Sequence, residues 1–205
     1  TSAKTLGCSW AIIGHSEERR FKSQIMRAYD ADIDVDVSKK QQAAAAVDKL
    51  VQSEVLRALE TNLNVLLCIG ESAEERGEGD FEVQKPRIEK VLKEQLLTNL
   101  AGCKNVLADN KIVIGYEPIW AIGPGKTPPG GDYISFVSAF IKEVVRKHFG
   151  FEIPVVYGGG LKEENAQMIA GIETINGGLV ALTRFTGEIG FAVTGLQGIV
   201  DKYLE

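Results

Sequence analysis

The chain has 205 residues, of which 44% are hydrophobic and 25% charged, so it can bury a sizeable core in one domain or two. Its net charge of -5 and the lack of any long cluster of Lys and Arg argue against a nucleic-acid partner. No apolar run approaches the roughly 18 to 20 residues that span a bilayer, so we expect a cytoplasmic protein without a membrane partner.

The cysteines and the acidic residues do not predict a metal site. Cys8, Cys68 and Cys103 are an odd number without C-x-x-C spacing, so neither a disulfide framework nor a zinc site is indicated. The alternation of Asp with apolar residues over 30–37 has the spacing of a calcium loop, but Val35 stands where such a loop needs glycine. A solvated edge strand or an extended loop explains the alternation better.

The first predicted strand leads to a histidine. Residues 7–15 form a short apolar run that delivers His15 at its carboxyl end, and Ser16 and Glu17 then have the character of a helix start, a capping hydroxyl followed by acids. The positive end of that helix dipole favours a neutral imidazole that donates a hydrogen bond. A structural polar residue at a strand end is the alternative for His15.

Two helices and a second strand follow. The amphipathic pattern over 38–62 predicts a long helix that packs through one apolar stripe. Residues 64–71 form a nearly continuous apolar run that ends in Gly70 and Glu71, as strands buried on both faces do. The pattern over 81–100 predicts another helix, with a proline near its start.

The most informative stretch is 112–127. A short apolar strand over 112–114 precedes Glu117, and a loop punctuated by Gly and Pro comes next. A carboxylate at the carboxyl end of a buried strand, followed by a mobile loop, is where parallel α/β enzymes hold reacting groups. Glu117 is therefore our candidate catalytic base. A surface glutamate before an ordinary strand-to-helix loop is the alternative.

The last two units contain glycine-rich turns. Residues 154–160 run from a strand into three glycines before a helical pattern, which forms either a plain tight turn or an anion site built from backbone N–H groups. The last strand is predicted over 177–182, and a helix over 189–204 closes the chain. Between them, Arg184 either reaches an anionic substrate or forms a surface salt bridge.

Five strand-then-helix units in succession predict an α/β fold with parallel strands, either a barrel or an open sheet. The carboxyl ends of parallel strands meet at one face, which would collect His15, Glu71, Glu117, the glycines 158–160 and residues 183–184. A single site at that face explains this convergence more simply than a separate structural reason for each residue.

Several motifs occur in a characteristic order along the chain. They are Gly14-His15-Ser16-Glu17, Cys68-Ile69-Gly70-Glu71, Tyr116-Glu117-Pro118-Ile119-Trp120-Ala121-Ile122-Gly123, Gly125-Lys126-Thr127 and Tyr157-Gly158-Gly159. Through them the chain resembles triosephosphate isomerase over nearly its whole length. The resemblance implies a TIM (β/α)8 barrel, of which residues 1–205 carry about the last five strand-helix units as a single domain.

The resemblance also implies an activity, an aldose-ketose isomerase of glycolysis and gluconeogenesis that needs no cofactor and no metal. It interconverts dihydroxyacetone phosphate and glyceraldehyde 3-phosphate through an enediol, with Glu117 as the base and neutral His15 as the electrophile, as is established for the family. Glu17 corresponds to a supporting carboxylate behind the site, and a homodimer is implied. The residues implied in binding the substrate phosphate are Gly123, Gly159, Gly160, Ala181 and Leu182.

The sequence departs from the family pattern near its beginning. The family's first three strand-helix units, which supply an essential lysine and a neighbouring asparagine, have no counterpart here. Glu18 is a second acid before the arginines, and the segment between His15 and Cys68 is longer than the family needs. The missing lysine keeps open a non-catalytic sugar-phosphate-binding protein as an alternative.

Further departures concern the phosphate loops. Gly160 replaces the usual serine, and Ala181 and Leu182 stand where the family has paired glycines. A closely approaching phosphate tolerates a Cβ atom less well than a glycine, so we expect a reshaped anion site. An isomerase of a four-carbon ketose phosphate is therefore a second alternative.

Overall fold

The computed structural model describes residues 2–103, 111–123, 125–184 and 188–205. These residues form five strands, which are β1 (Trp10–Ile13), β2 (Asn64–Ile69), β3 (Ile112–Tyr116), β4 (Val155–Tyr157) and β5 (Gly177–Gly178). The helices within the same ranges are α1 (Ser2–Thr5), α2 (Ser16–Tyr29), α3 (Val37–Glu60), α4 (Ala73–Arg76), α5 (Phe81–Asn99), α6 (Gly131–Phe149), α7 (Glu163–Ala170) and α8 (Val193–Leu204). Two 3₁₀ turns span Ala31–Asp34 and Ile119–Ala121.

The five strands form one parallel sheet in the order β1-β2-β3-β4-β5. The register pairs Ile13 with Leu67, Ile69 with Tyr116, and Tyr116 with Tyr157. The carboxyl ends of these strands therefore lie along one edge, as the sequence predicts. The α/β class is confirmed, and the sheet with its helices is part of a TIM barrel.

The core is made by the central strands and by one face of each long helix. In β2 and β3, Val65, Leu67, Ile112 and Ile114 are buried on one face of the sheet, whereas the alternate residues Leu66 and Val113 are half-buried. The apolar residues that α3, α5 and α6 contribute to the same cluster are Val47, Val51, Val55, Ile88, Leu92, Leu96, Ile134, Val137 and Ile141. The sheet is thereby covered by helices, as its apolar composition requires.

The acidic segment 30–37 is not an edge strand, so that prediction was wrong. It forms the 3₁₀ turn and the start of α3, because aspartate side chains bind the free backbone N–H groups there. Asp30 accepts from the N–H of Asp32 at 3.0 Å, and Asp36 accepts from that of Ser38 at 2.8 Å. The alternating pattern thus reflects two local caps rather than a pleated strand.

The last strand and the last helix are shorter than the sequence predicts. Only Gly177 and Gly178 pair with β4, and α8 begins at Val193. Glycine has weak strand propensity and β5 lies at the end of the described sheet, so a short pairing is reasonable there. Among the described helices, none has the length and apolar character needed to cross a bilayer.

Candidate active site

Glu117 and His15 meet at the carboxyl edge of the sheet. His15 Nε2 lies 2.9 Å from Glu117 Oε1, and the side chain of Glu117 is only 3% exposed, whereas that of His15 is 36% exposed. The other carboxylate oxygen, Oε2, accepts from the backbone N–H of Ser16 at 3.0 Å. Two groups from the start of α2 therefore hold a buried carboxylate that belongs to the end of β3.

The hydrogen bonds around the imidazole define its tautomer. His15 is the N-cap of α2, and its Nδ1 accepts from the backbone N–H of Glu17 at 3.4 Å. A neutral ring whose Nδ1 accepts carries its proton on Nε2, which is the atom that faces Glu117. The cap was expected at the Ser16 hydroxyl, but the ring nitrogen takes that role and the Ser16 N–H is directed to the carboxylate instead.

Burial governs the electrostatics of Glu117. Loss of hydration raises the pKa of this carboxyl, while nearby His15, the hydrogen bond from Ser16 and the charge of Arg19 partly oppose the shift. A carboxylate with a raised pKa is a stronger base than an exposed glutamate. The environment thus suits proton abstraction from carbon next to a carbonyl.

Arg19 holds the turn at Gly14 and His15, which we call the histidine turn, against the neighbouring strand β2. Its Nε donates to the carbonyl of Gly14 at 2.7 Å, and its Nη2 donates to that of Cys68 at 3.2 Å. Its Nη1 lies 2.6 Å from Asp48 Oδ1, and both side chains are nearly buried, at 11% and 13% exposure. The sequence did not reveal this network, although Arg19 lies one helical turn beyond His15 and so faces the same side.

Gly70 lets β2 and β3 approach each other beneath the candidate base. A Cβ atom at this position would overlap the backbone carbonyl of Glu117. The Gly70 peptide is also fixed by Gln95, whose Oε1 accepts from its N–H at 3.0 Å and whose Nε2 donates to its carbonyl at 2.9 Å. The backbone that carries Glu117 therefore has little freedom to move.

We expect Gly70→Ala to lower the free energy of unfolding by about 1 to 3 kcal/mol, because the added methyl group forces the two strands apart. Gly171→Ala is a matched control, since its Cβ would meet only atoms at 3.6 Å, an ordinary contact distance. Urea titrations of both variants measure the difference. Equal stabilities would show that the strands accommodate a methyl group at Gly70 without strain.

A loop joins Glu117 at the end of β3 to α6; we call residues 118–130 the lid, of which 118–123 and 125–130 are described. Gly123 and Gly125 adopt positive φ angles of 114° and 75°, which favour glycine. The side chains of Lys126 and Thr127 are exposed, and Pro129 is buried at the far end. Residues 125–127 of the lid are thus exposed, while Pro118, Ala121 and Pro129 are buried.

Glu71 is buried at the base of the lid and accepts several hydrogen bonds. Its Oε1 accepts from Trp120 Nε1 at 2.7 Å, from Tyr133 OH at 2.7 Å and from Tyr116 OH at 3.1 Å. Its backbone carbonyl accepts from the N–H of Ile119 at 3.1 Å. Burial raises the pKa of Glu71, and the hydrogen bonds to its carboxylate oppose that shift. The sequence placed Glu71 at this face but did not identify these partners.

The glycine turn after β4 lies beside Glu117. A Cβ atom on Gly158 would stand 3.2 Å from Glu117 Cγ, so the turn and the carboxylate are in close contact. Gly159 is buried and its carbonyl accepts from Tyr157 OH at 2.9 Å, while Gly160 has a φ angle of 87°. The turn is therefore well placed for backbone N–H groups to reach a substrate that contacts Glu117.

A cavity of about 560 Å³ opens between the start of α2 and the lid. It is lined by Ser16, Glu17, Arg19, Arg20, Ser23, Ile119, Ile122 and Gly123. Gly123 is thus next to the histidine turn, and Glu17 is an exposed residue at the rim. Ala181 is exposed and Leu182 half-buried in the segment after β5. The predicted roles remain predictions for all of these residues, which are His15, Glu17, Glu117, Gly123, Gly159, Gly160, Ala181 and Leu182.

The family profile described as Triosephosphate isomerase matches residues 1–188 of this sequence. The chain belongs to the triosephosphate isomerase family. The match includes the histidine turn, Glu117, the lid and the glycine turn, which the fold brings to one edge of the sheet. The family resemblance drawn from the motifs is therefore confirmed, and the family is one of isomerases.

Relatives of known name agree with this assignment to the triosephosphate isomerase family. The chain is 33% identical to triosephosphate isomerase of Nitratidesulfovibrio vulgaris over 177 residues, which cover 85% of this chain and 59% of the relative. It is 32% identical to that of Chloroherpeton thalassium over 180 residues, with 85% and 58% covered. The enzyme of a Psychrobacter species is 34% identical over 186 residues, with 86% and 58% covered. The chain thus spans less than two thirds of the length of these relatives.

Proposed function

We propose that this chain contributes the proton-transfer residues of an isomerase that interconverts dihydroxyacetone phosphate and glyceraldehyde 3-phosphate. The observation that supports this most strongly is the contact of 2.9 Å between His15 Nε2 and the buried carboxylate of Glu117. A base next to a neutral hydrogen-bond donor suits an enediol, which requires proton movement at carbon and stabilisation of charge on oxygen. The names of the relatives supply the substrate of the proposal.

The proposed reaction begins when the substrate displaces the contacts that hold the empty site. Glu117 takes the proton from the carbon next to the carbonyl and returns it to the neighbouring carbon. The Nε2–H of His15 donates to the two oxygens of the enediol in turn, and through this imidazole the hydroxyl proton passes to the former carbonyl oxygen. The hydrogen bonds stabilise the charge that develops on these oxygens. A neutral ring in this role polarises the oxygens without giving up a strongly acidic proton.

The proposed phosphate site lies beside this pair. Backbone N–H groups at Gly123, Gly159, Gly160, Ala181 and Leu182 would bind the phosphate. The roles of Gly159 and Gly160 are supported by the position of the neighbouring Gly158 next to Glu117. That of Gly123 is supported by its place in the wall of the cavity. The lid would close over the bound substrate and exclude water from the enediol.

The proposal also includes the organisation of the protein. Residues 1–205 would form one domain, the C-terminal five-eighths of a (β/α)8 barrel, which is supported by the continuous apolar cluster that joins the sheet to its helices. No residue of the printed sequence is assigned to the family's lysine. The homodimer implied by the resemblance is part of the same proposal.

Deuterium exchange tests the function directly. The protein is incubated in D₂O with dihydroxyacetone phosphate, and ¹H NMR follows the protons on the carbon next to the carbonyl. We expect deuterium to enter at that carbon faster than in buffer alone, because Glu117 returns a proton that it has exchanged with solvent. Dihydroxyacetone without phosphate is the control and should exchange much more slowly, since it lacks the group that orients it.

A four-carbon ketose phosphate is the second candidate substrate. It is favoured by Gly160 and by Ala181 and Leu182, which differ from the family's usual serine and paired glycines at the phosphate loops. The same exchange experiment with both ketose phosphates, compared through kcat/KM, decides between them. Binding of either compound without any exchange would instead support the non-catalytic alternative and contradict the proposed chemistry.

A further inference from the structure

Glu71 connects three segments of the chain at the base of the lid. The donors to its Oε1 come from β3 through Tyr116, from the lid through Trp120, and from α6 through Tyr133. The side chain of Glu71 is fully buried, so each donor replaces hydration that the carboxylate has lost. A change in one of these hydrogen bonds therefore changes the strength of the others.

The two shortest of these hydrogen bonds come from different kinds of segment, a long helix for Tyr133 and a loop for Trp120. Tyr133 lies on α6 next to the buried Ile134, and its ring stacks on Phe81 with centroids 4.8 Å apart. Trp120 lies in the 3₁₀ turn of the lid. Tyr133 is therefore anchored by a long helix and a ring contact, whereas Trp120 belongs to the loop between β3 and α6.

Within the described residues, Trp120 also contacts two aromatic or cationic side chains next to Glu71. The guanidinium of Arg76 lies 3.8 Å above its ring, and the ring of Tyr133 meets it edge-on with centroids 5.5 Å apart. The hydrogen bond from Nε1 to Glu71 is thus a principal polar contact of this side chain. Its strength sets how readily this part of the lid leaves the observed position.

We propose that Tyr133 is a positioning residue that keeps the hold of Glu71 on Trp120 weak enough to be reversible. Tyr133 donates to the same oxygen as Trp120 and so shares the negative charge that attracts the indole N–H. When Trp120 leaves, Tyr133 and Tyr116 still satisfy the buried carboxylate, which lowers the cost of release. The link to lid closure rests on the proposed function, but the competition for one oxygen does not.

Indole proton exchange on the chain as it exists tests this inference. We expect Tyr133→Phe to slow the exchange of the Trp120 Nε1 proton with solvent roughly threefold to tenfold, as the strengthening of one charge-assisted hydrogen bond predicts. ¹⁵N-edited NMR resolves the two indoles of the chain. Trp10, which is 49% exposed on β1, is the internal reference.

The direction of the change in the Trp120 exchange rate shows whether Tyr133 acts by competing for Glu71 or only by packing against Trp120. Loss of packing would loosen Trp120 and speed its exchange, so faster or unchanged exchange in Tyr133→Phe would overturn the inference. Tyr203→Phe, which removes a hydroxyl group from α8, is the matched control and should leave the Trp120 exchange rate unaltered.

A second variant covers the case in which Tyr133→Phe does not fold. Glu71→Gln removes the charge that Trp120 and Tyr133 share, and we expect the Trp120 proton to exchange several-fold faster in it. Unchanged exchange in Glu71→Gln would also overturn the inference. These measurements need no turnover, so they remain decisive if the proposed isomerase activity is not found. Where turnover is found, Tyr133→Phe should lower kcat/KM.

Discussion

Replacing Glu117 by glutamine should lower kcat of the proposed isomerisation about 10³-fold, as the loss of a general base predicts. The amide keeps the size of the side chain and accepts from the Ser16 N–H, but it cannot take a proton from carbon. KM should change little, because the phosphate is bound by other groups. A coupled assay with dihydroxyacetone phosphate measures the effect on a preparation in which the unmodified chain shows turnover.

The exposed Glu60 provides the control for this experiment. It ends α3 just before β2 begins, at the edge of the sheet opposite the site, and Glu60→Gln removes a surface carboxylate there. Activity in Glu117→Gln close to that of this control would show that another group is the base. The pH dependence gives an independent check. Because burial raises the pKa of Glu117, kcat/KM should rise with pH as the carboxyl loses its proton, with a midpoint above the ordinary range of a glutamate.

Arg19→Met should lower the free energy of unfolding by about 3 to 5 kcal/mol, which is typical when one partner of a buried ion pair is removed. Asp48 would remain nearly buried, with a hydrogen bond of 3.2 Å from the side-chain amide of Asn99. The carbonyls of Gly14 and Cys68 would lose their donor. Urea unfolding measures the change. The histidine turn should also become less ordered, so activity should fall as well.

Two comparisons make the Arg19 result specific. Arg57→Met removes an arginine that is 81% exposed and paired with Glu60 on the surface, and it should change stability by no more than about 0.5 kcal/mol. Arg19→Met combined with Asp48→Leu should recover part of the loss, because no unpaired charge then remains buried. If the double variant were as unstable as the sum of both single changes, the ion pair would not be the cause.

The fold was largely predictable because parallel strands covered by helices have a simple sequence pattern. The apolar runs at β2 and β3 are continuous rather than alternating, because one face is buried and the alternate residues Leu66 and Val113 are half-buried. The succession of five such runs, each followed by a helical pattern, then required parallel strands with one shared carboxyl edge. The meeting of His15 with Glu117 follows from that geometry.

The contacts within the site were less predictable, since they depend on pairs that are remote in sequence. Asp48 lies on α3 and meets Arg19 only through the packing of two helices, and Tyr133 meets Glu71 across the lid. The prediction of an extended segment over 30–37 failed because an aspartate repeat fits either a strand or successive turns. In the structure, Asp30 and Asp36 cap a 3₁₀ turn and a helix. Periodicity identifies which face is buried, but not which polar groups meet there.

The contacts of the resting carboxylate have a consequence for affinity measurements. Glu117 already occupies the donors at Ser16 and His15 that an incoming substrate oxygen would need. The empty site thus contains its own competitor, and every ligand must displace an internal acceptor before it binds. Small compounds that lack a phosphate should therefore show weaker apparent association than their direct contacts suggest.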